Sequence, residues 1–184
     1  MIVIGGSAGS LEIVLAVLSQ LLGSGFPPLL IVLHRKVAND SLLAELLASK
    51  THLTVKEAEE KEMIRMDTVY LAPADYHVLI EHDLSFSLDY SEKVHYSRPS
   101  IDVVFESAAL AFGSGLTCIL LSGANTDGAE GCRFAKARGA TVLVQDPATA
   151  SVPVMPQAVL DLNSADHVMS ANELAAWINR QKIV

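Results

Sequence analysis

Three short stretches of this chain are apolar almost throughout: Ile2-Val3-Ile4, Leu29-Leu30-Ile31-Val32-Leu33 and Thr117-Cys118-Ile119-Leu120-Leu121. A strand with one wet face alternates apolar and polar residues. An uninterrupted run needs cover on both faces, which is the condition of a parallel sheet flanked by helices. Helical segments lie between the runs. Leu11 to Leu22 contains no Pro or Gly, and Leu42, Leu43, Leu46 and Leu47 mark a second helix, with Asp40 or Ser41 as its cap. A third is expected from Pro99 to about Phe112, with Asp102 near its positive end, and a closing amphipathic helix from Ala171 to Gln181. Ala140 to Val144 reads as a further strand, and Val69-Tyr70-Leu71 leads into the turn Ala72-Pro73-Ala74-Asp75. His77 to Tyr90 holds two runs around Glu81-His82-Asp83, the pattern of a β-hairpin. The expected fold is α/β: a doubly wound, mainly parallel, Rossmann-like sheet with an added antiparallel hairpin.

Composition narrows the function. The 184 residues suit a single domain over 1–184, and with 51% hydrophobic and 18% charged residues a buried core is affordable. The formal charge of -8, from 13 Lys+Arg against 21 Asp+Glu, argues against nucleic acid as a partner; His34-Arg35-Lys36 is the best basic cluster. No apolar run approaches the roughly 20 residues needed to cross a bilayer, so no membrane insertion is expected. The opening Met1-Ile2-Val3-Ile4-Gly5 has no basic leader, which points to a cytoplasmic protein. Cys118 and Cys132 lack CxxC spacing and read as reduced core thiols.

In open α/β sheets, ligands gather beyond the carboxyl ends of the strands. Ser7 follows the first apolar run, His34 the second, and Asp127 lies in the loop after the third. A serine hydroxyl needs a base to take its proton, histidine titrates near neutrality, and a carboxylate fixes the imidazole tautomer. Gly5-Gly6-Ser7-Ala8-Gly9 has the G-x-S-x-G spacing of a nucleophile elbow, but the order Ser, His, Asp is not that of α/β-hydrolases. Each residue also has a plainer reading. Ser7 or Ser10 can cap the following helix, His34 can be an exposed strand end, and Asp127 can cap the helix starting near Gly128. A dinucleotide site fits poorly: counted from Gly5, G-x-G-x-x-G meets Ser7 and Ser10, and from Gly6 it meets Ala8 and Leu11. No HExxH or similar metal spacing occurs, so no metal is expected. His77 and Arg98 are further candidates, for substrate contact or for a turn and a structural ion pair.

Several motifs in order resemble the catalytic domain of the chemotaxis receptor methylesterases, the CheB family. They are Ile4-Gly5-Gly6-Ser7-Ala8-Gly9-Ser10, Leu33-His34, Val55-Lys56-Glu57-Ala58-Glu59 and Leu71-Ala72-Pro73-Ala74-Asp75-Tyr76-His77. Ser97-Arg98-Pro99-Ser100-Ile101-Asp102-Val103-Val104-Phe105, Leu121-Ser122-Gly123 through Asp127-Gly128-Ala129-Glu130-Gly131, and Met155-Pro156-Gln157-Ala158 complete the set. The resemblance implies hydrolysis of glutamate γ-methyl esters, and deamidation of glutamines, on the cytoplasmic helices of methyl-accepting chemotaxis receptors. It implies Ser7 as nucleophile, His34 as general base and acid, Asp127 as orienting carboxylate, and backbone N–H groups near Ala8 and Ala124 as the oxyanion hole. It implies no cofactor, and a receiver domain as a separate partner. Ala124 stands where the family has Met, Ser10 replaces the second Gly after the nucleophile, and Asn125 replaces the Gly after that Met. Those departures leave open an alternative: a weak or inactive domain that binds a chemoreceptor or signalling partner.

Overall fold

A computed structural model describes residues 1–35 and 40–183, without the side chains of Asp40 and Ser41. The expected cap at Asp40 or Ser41 and the Lys36 part of the basic cluster lie outside what is described. The strands are β1 (Ile2–Gly6), β2 (Leu29–Leu33), β3 (Thr54–Glu57), β4 (Thr68–Leu71), β5 (His77–Ile80), β6 (Phe86–Asp89), β7 (Thr117–Leu120), β8 (Thr141–Gln145) and β9 (His167–Met169). The helices are α1 (Ser10–Leu18), α2 (Asp40–Ala48), α3 (Ile101–Phe112), α4 (Ala129–Lys136), α5 (Val154–Asp161) and α6 (Ala171–Asn179).

Seven strands form one sheet in the order β3-β4-β2-β1-β7-β8-β9, every pairing parallel, and β5 and β6 form the separate antiparallel hairpin. The continuous apolar runs are the central strands: β1, β2 and β7 are buried at every residue. Val14, Val17, Leu18 and Leu47 of α1 and α2, with Leu174 and Ile178 of α6, cover one face of the sheet. Val104, Phe105, Cys132 and Val159 of α3 to α5, with Val78 and Phe86 of the hairpin, cover the other. Cys118 and Cys132 are both free and buried, as their spacing suggests. Among the described residues no helix is long and apolar enough to cross a membrane.

The elements differ from expectation mainly at their ends. Helix α1 stops at Leu18, and in the turn beyond it the Ser19 hydroxyl and the Gln20 amide both donate to the Ala16 carbonyl. Helix α3 begins at Ile101, with Ser100 as its N-cap residue, not at Pro99. Strands β3 and β9 and helix α5 do not stand out as elements in the sequence. Strand β9 has three residues at the sheet edge, and α5 follows Pro153 and carries Pro156 in its first turn, where a missing N–H is harmless. Sheet order reverses between β1 and β7: the chain builds outward from β1 through β2, then returns to β1's other side with β7. The loops after β1, β2 and β7 therefore meet at one switch point.

Candidate active site

The parallel register sets the first two residues. Gly6 of β1 pairs with Leu33 of β2, so Ser7 and His34 leave neighbouring strands side by side, and the His34 N–H donates to the Gly6 carbonyl at 3.2 Å. The turn carrying Ser7 is held from three directions. The Ser7 N–H donates to the Ser122 carbonyl at 2.9 Å, and the Ser10 hydroxyl and N–H both donate to the Ser7 carbonyl, at 2.6 and 3.1 Å. Ser122 Oγ donates to the Ala8 carbonyl at 2.7 Å and accepts the Val152 N–H at 2.9 Å. Neither Ser7 nor Ser10 caps α1. That position is Gly9, in the left-handed region at φ 79°, with no side-chain cap. Buried Ser10 packs into the space Gly6 leaves, where a Cβ would lie 2.5 Å from the Ser10 Cβ.

Gly9 is confined as well as left-handed, since a Cβ there would lie 2.5 Å from the Ser151 Cβ. Gly9→Ala is expected to destabilise the protein by about 2–3 kcal/mol in urea titration, from the αL penalty plus displacement of the neighbouring loop.

Around Ser7 the backbone offers donors. Among the described residues the N–H groups of Ala8 and Ala124 have no protein acceptor. The loop carrying Ala124 runs against the serine, for a Cβ on Gly123 would lie 3.1 Å from the Ser7 Cβ. The side chain at 124 is exposed, so substitution of Ala for Met leaves the N–H in place. Asn125 has a local use: its Oδ1 accepts the Asp127 N–H at 3.2 Å, shaping the turn that presents Asp127.

Asp127 is fully buried and accepts four hydrogen bonds: His34 Nε2 at 2.7 Å, Ser100 Oγ at 2.9 Å, Ile101 N at 2.8 Å and Asp102 N at 3.1 Å. It does not cap the helix that follows it. Its oxygens receive the N-terminal N–H groups of α3 from across the site, the favourable end of that helix for an anion. Burial alone would raise its pKa; the His34 bond, the two N–H groups and the Ser100 hydroxyl outweigh that and hold it below the ordinary 3.8.

The network assigns the His34 tautomer. Nε2–H donates to Asp127, and Nδ1 accepts from the Ser97 hydroxyl at 3.3 Å. The usable lone pair is thus on Nδ1, the reverse of the serine-protease arrangement, where the carboxylate takes Nδ1. The Ser7 hydroxyl makes no hydrogen bond among the described residues. Of the three sequence candidates, His34 and Asp127 are joined, and Ser7 stands at the adjacent strand end without the second link. Ser97 lies in a motif visible in the sequence, but its contact with His34 is a matter of chain folding that no spacing reveals.

His77 is 1% exposed, accepts the Ser100 N–H on Nδ1 at 3.1 Å and donates from Nε2 to the Glu92 carbonyl at 3.1 Å. With both ring nitrogens engaged by backbone it fixes the approach to α3 and offers no atom to a substrate. Arg98 pairs with Asp75 at 2.9 Å, donates to the Tyr90 and Ser91 carbonyls, and lies 3.7 Å over the Tyr90 ring. It also lines a cavity of about 400 Å³ open against His34, with Arg35, Lys93, Tyr96 and Ser97 on its wall. Arg35 is held by Glu57 and the Ala72 carbonyl, so the strand β3 and the turn after β4 brace this wall.

Asp102 points away from its own helix end. Its Oδ1 accepts the Gly131 N–H of α4 at 2.6 Å, and Oδ2 lies 3.2 Å from His95 Nε2. Burial first, and the Asp127 carboxylate beside it, push its pKa up to about 6. His95, Asp102 and Asp127 each bring a ligand atom within 4.8 Å of the others, the one such group among the described residues. The Asp127 oxygens already receive four protein donors, and Asp102 receives Gly131, so the set is built to take hydrogen bonds rather than an ion.

The CheB methylesterase family model matches residues 2–178. A Leptospira interrogans protein named for protein-glutamate methylesterase/protein-glutamine glutaminase is 41% identical over 95% of this chain and 90% of its own length. A Maricaulis maris protein with the same name is 33% identical over 98% of this chain but 46% of its own length, so the chain spans about half of that longer relative. The crystal structure of the Thermotoga maritima CheB methylesterase catalytic domain superposes with a TM-score of 0.92 at 32% identity, covering 97% of this chain and 96% of that one. A match along nearly the whole sequence, a shared fold, and a switch point carrying a serine, a histidine and a buried aspartate together lead to one statement: the chain belongs to the CheB methylesterase family.

Proposed function

We propose that this chain is a cytoplasmic protein-glutamate methylesterase that hydrolyses glutamate γ-methyl esters on chemoreceptor helices, with Ser7 as nucleophile, His34 as base and acid, and Asp127 as the orienting carboxylate. The observation that carries the reading is the 2.7 Å bond from His34 to a buried, ionised Asp127, on a strand end in register with that of Ser7. In the reaction His34 Nδ1 leaves Ser97, takes the Ser7 proton, and Ser7 Oγ forms a bond to the ester carbonyl carbon. The negative charge develops on the carbonyl oxygen, where the open Ala8 and Ala124 N–H groups can meet it. The imidazolium, stabilised by Asp127, then protonates the departing methoxide, and methanol leaves. Water, deprotonated by the same nitrogen, attacks the acyl-serine carbonyl; the imidazolium then returns the proton to Ser7 Oγ as its bond to the carbonyl carbon breaks, which releases the glutamate carboxylate and restores Ser7 and His34. A glutamine side chain follows the same course with ammonia as leaving group.

The names of the relatives support the substrate class, and the cavity beside His34 gives the ester an approach to that ring. The test is methanol release from a methylated receptor signalling domain by the purified protein. Release above the protein-free control is expected; none from folded protein with several methylated receptors would overturn the reading.

A further inference from the structure

Behind the His34–Asp127 bond stands a second carboxylate that the reaction as written does not use. Asp102 and Asp127 hold ligand atoms within 4.8 Å of each other, and Asp102 is nearly buried, at 6% exposure. The same Asp127 that bonds His34 also accepts the Asp102 backbone N–H, so the two acids are fixed relative to one another by α3 itself. The groups facing Asp102 are few. Asp127 faces it from the loop after β7, His95 from the loop before α3, and Gly131 with the buried thiol of Cys132 from α4. His34 lies beyond Asp127.

We propose that Asp102 is a positioning residue for the reaction: a second negative charge, fixed behind Asp127 and answered by His95, that strengthens the hold of the pair on the His34 proton. This rests on the methylesterase reading above. A purely structural task does not account for the residue. The tie to α4 needs one acceptor, and close packing there is already met, since a Cβ on Gly131 would lie 2.9 Å from the Asp102 Cα. An asparagine would supply the acceptor without placing two carboxylates together away from water, an arrangement that is unfavourable by itself. What the acid adds is charge. Its pKa of about 6 means that the charge is present at neutral pH and disappears on mild acidification, with His95 3.2 Å away on its other side. A negative group one carboxylate removed from an imidazolium stabilises it by Coulomb attraction, with an effect on the order of one to two pH units at an effective dielectric constant near 20.

The experiment uses two variants and two readouts. In Asp102→Asn the NMR titration curve of the His34 ring, and with it the acid limb of kcat/KM for methyl-ester hydrolysis, should move about one to two units to lower pH. The kcat above the limb should fall by less than about tenfold, as for a weaker base. In Asp102→Ser, a smaller neutral replacement, the His34 titration should move in the same direction as in Asp102→Asn. A folded Asp102→Asn that titrates within about 0.2 unit of wild type overturns the proposal. Should that variant not fold, a His34 curve in Asp102→Ser within about 0.2 unit of wild type does so. The NMR titration requires no turnover, so wild-type protein that releases no methanol would sink the methylesterase reading while leaving this one to be judged on its own curve.

Discussion

Ser7→Ala is expected to lower methanol release at least about 10³-fold, while Ser97→Ala stays within about tenfold of wild type. The pair matters because the hydroxyl bonded to His34 in the structure is that of Ser97. Proximity to the base is not sufficient for a nucleophile: the oxygen that becomes charged after attack also needs donors. Around Ser97 these are fewer: its own N–H donates to Val94, its carbonyl accepts the Val94 N–H, and Pro99 two residues on has no N–H, so among the described residues only the Arg98 N–H stands open beside it. Ser7 has the open N–H groups of Ala8 and Ala124 beside it. Ser97 is therefore assigned the part of a partner that occupies the Nδ1 lone pair until Ser7 takes its place. Steady-state kinetics on one methylated receptor decides the matter, and a large loss in Ser97→Ala with a small one in Ser7→Ala would exchange the two roles.

Asp127→Ala should cost both activity and fold. It leaves the N–H groups of Ile101 and Asp102, the Ser100 hydroxyl and the His34 Nε2–H without their acceptor in a buried place. Losses of this kind run to about 3–5 kcal/mol, with a fall in kcat of roughly 10³–10⁴-fold from the mis-set imidazole. The stability effect should depend on pH. Because the folded pKa of Asp127 is lowered, the folded protein binds fewer protons there than the unfolded chain. The stabilisation from Asp127 is complete above its ordinary 3.8 and fades as pH falls through the lower folded value. Asp102 works in the other sense: with its folded pKa raised to about 6, its contribution to stability weakens as pH rises from 3.8 towards 6. The difference in unfolding free energy between wild type and Asp127→Ala should thus be larger at pH 7 than at pH 3, measured by urea titration. An equal difference at both would remove the ionised carboxylate from the explanation.

Much of this was legible in the chain itself, for physical reasons that can be named. Strands buried on both faces leave an uninterrupted apolar run, so β1, β2 and β7 announce themselves, and the residues at their carboxyl ends follow from the geometry of parallel sheets. What was hidden depends on contacts between segments far apart in sequence. Asp127 reads as a cap for the helix after it, and its actual partner, α3, begins 26 residues earlier. His77 reads as a candidate for substrate contact, and only the folded chain shows both its nitrogens engaged. Ser10 reads as a departure from a glycine pattern, yet its hydroxyl fastens the Ser7 carbonyl. Strand β9 is too short and too exposed to carry any pattern of its own.

The double attachment of Asp127, to His34 and to the first turn of α3, has a consequence for how such a domain could change over generations. Ser7 is partly exposed and its hydroxyl holds nothing together, so a lineage released from the need to cleave esters could lose it with little harm to folding. Asp127 could not be discarded so freely, because α3 would lose its anchor in the same step. A descendant that had turned from hydrolysis to binding alone would betray itself at position 7 while still carrying the aspartate of the enzyme it came from.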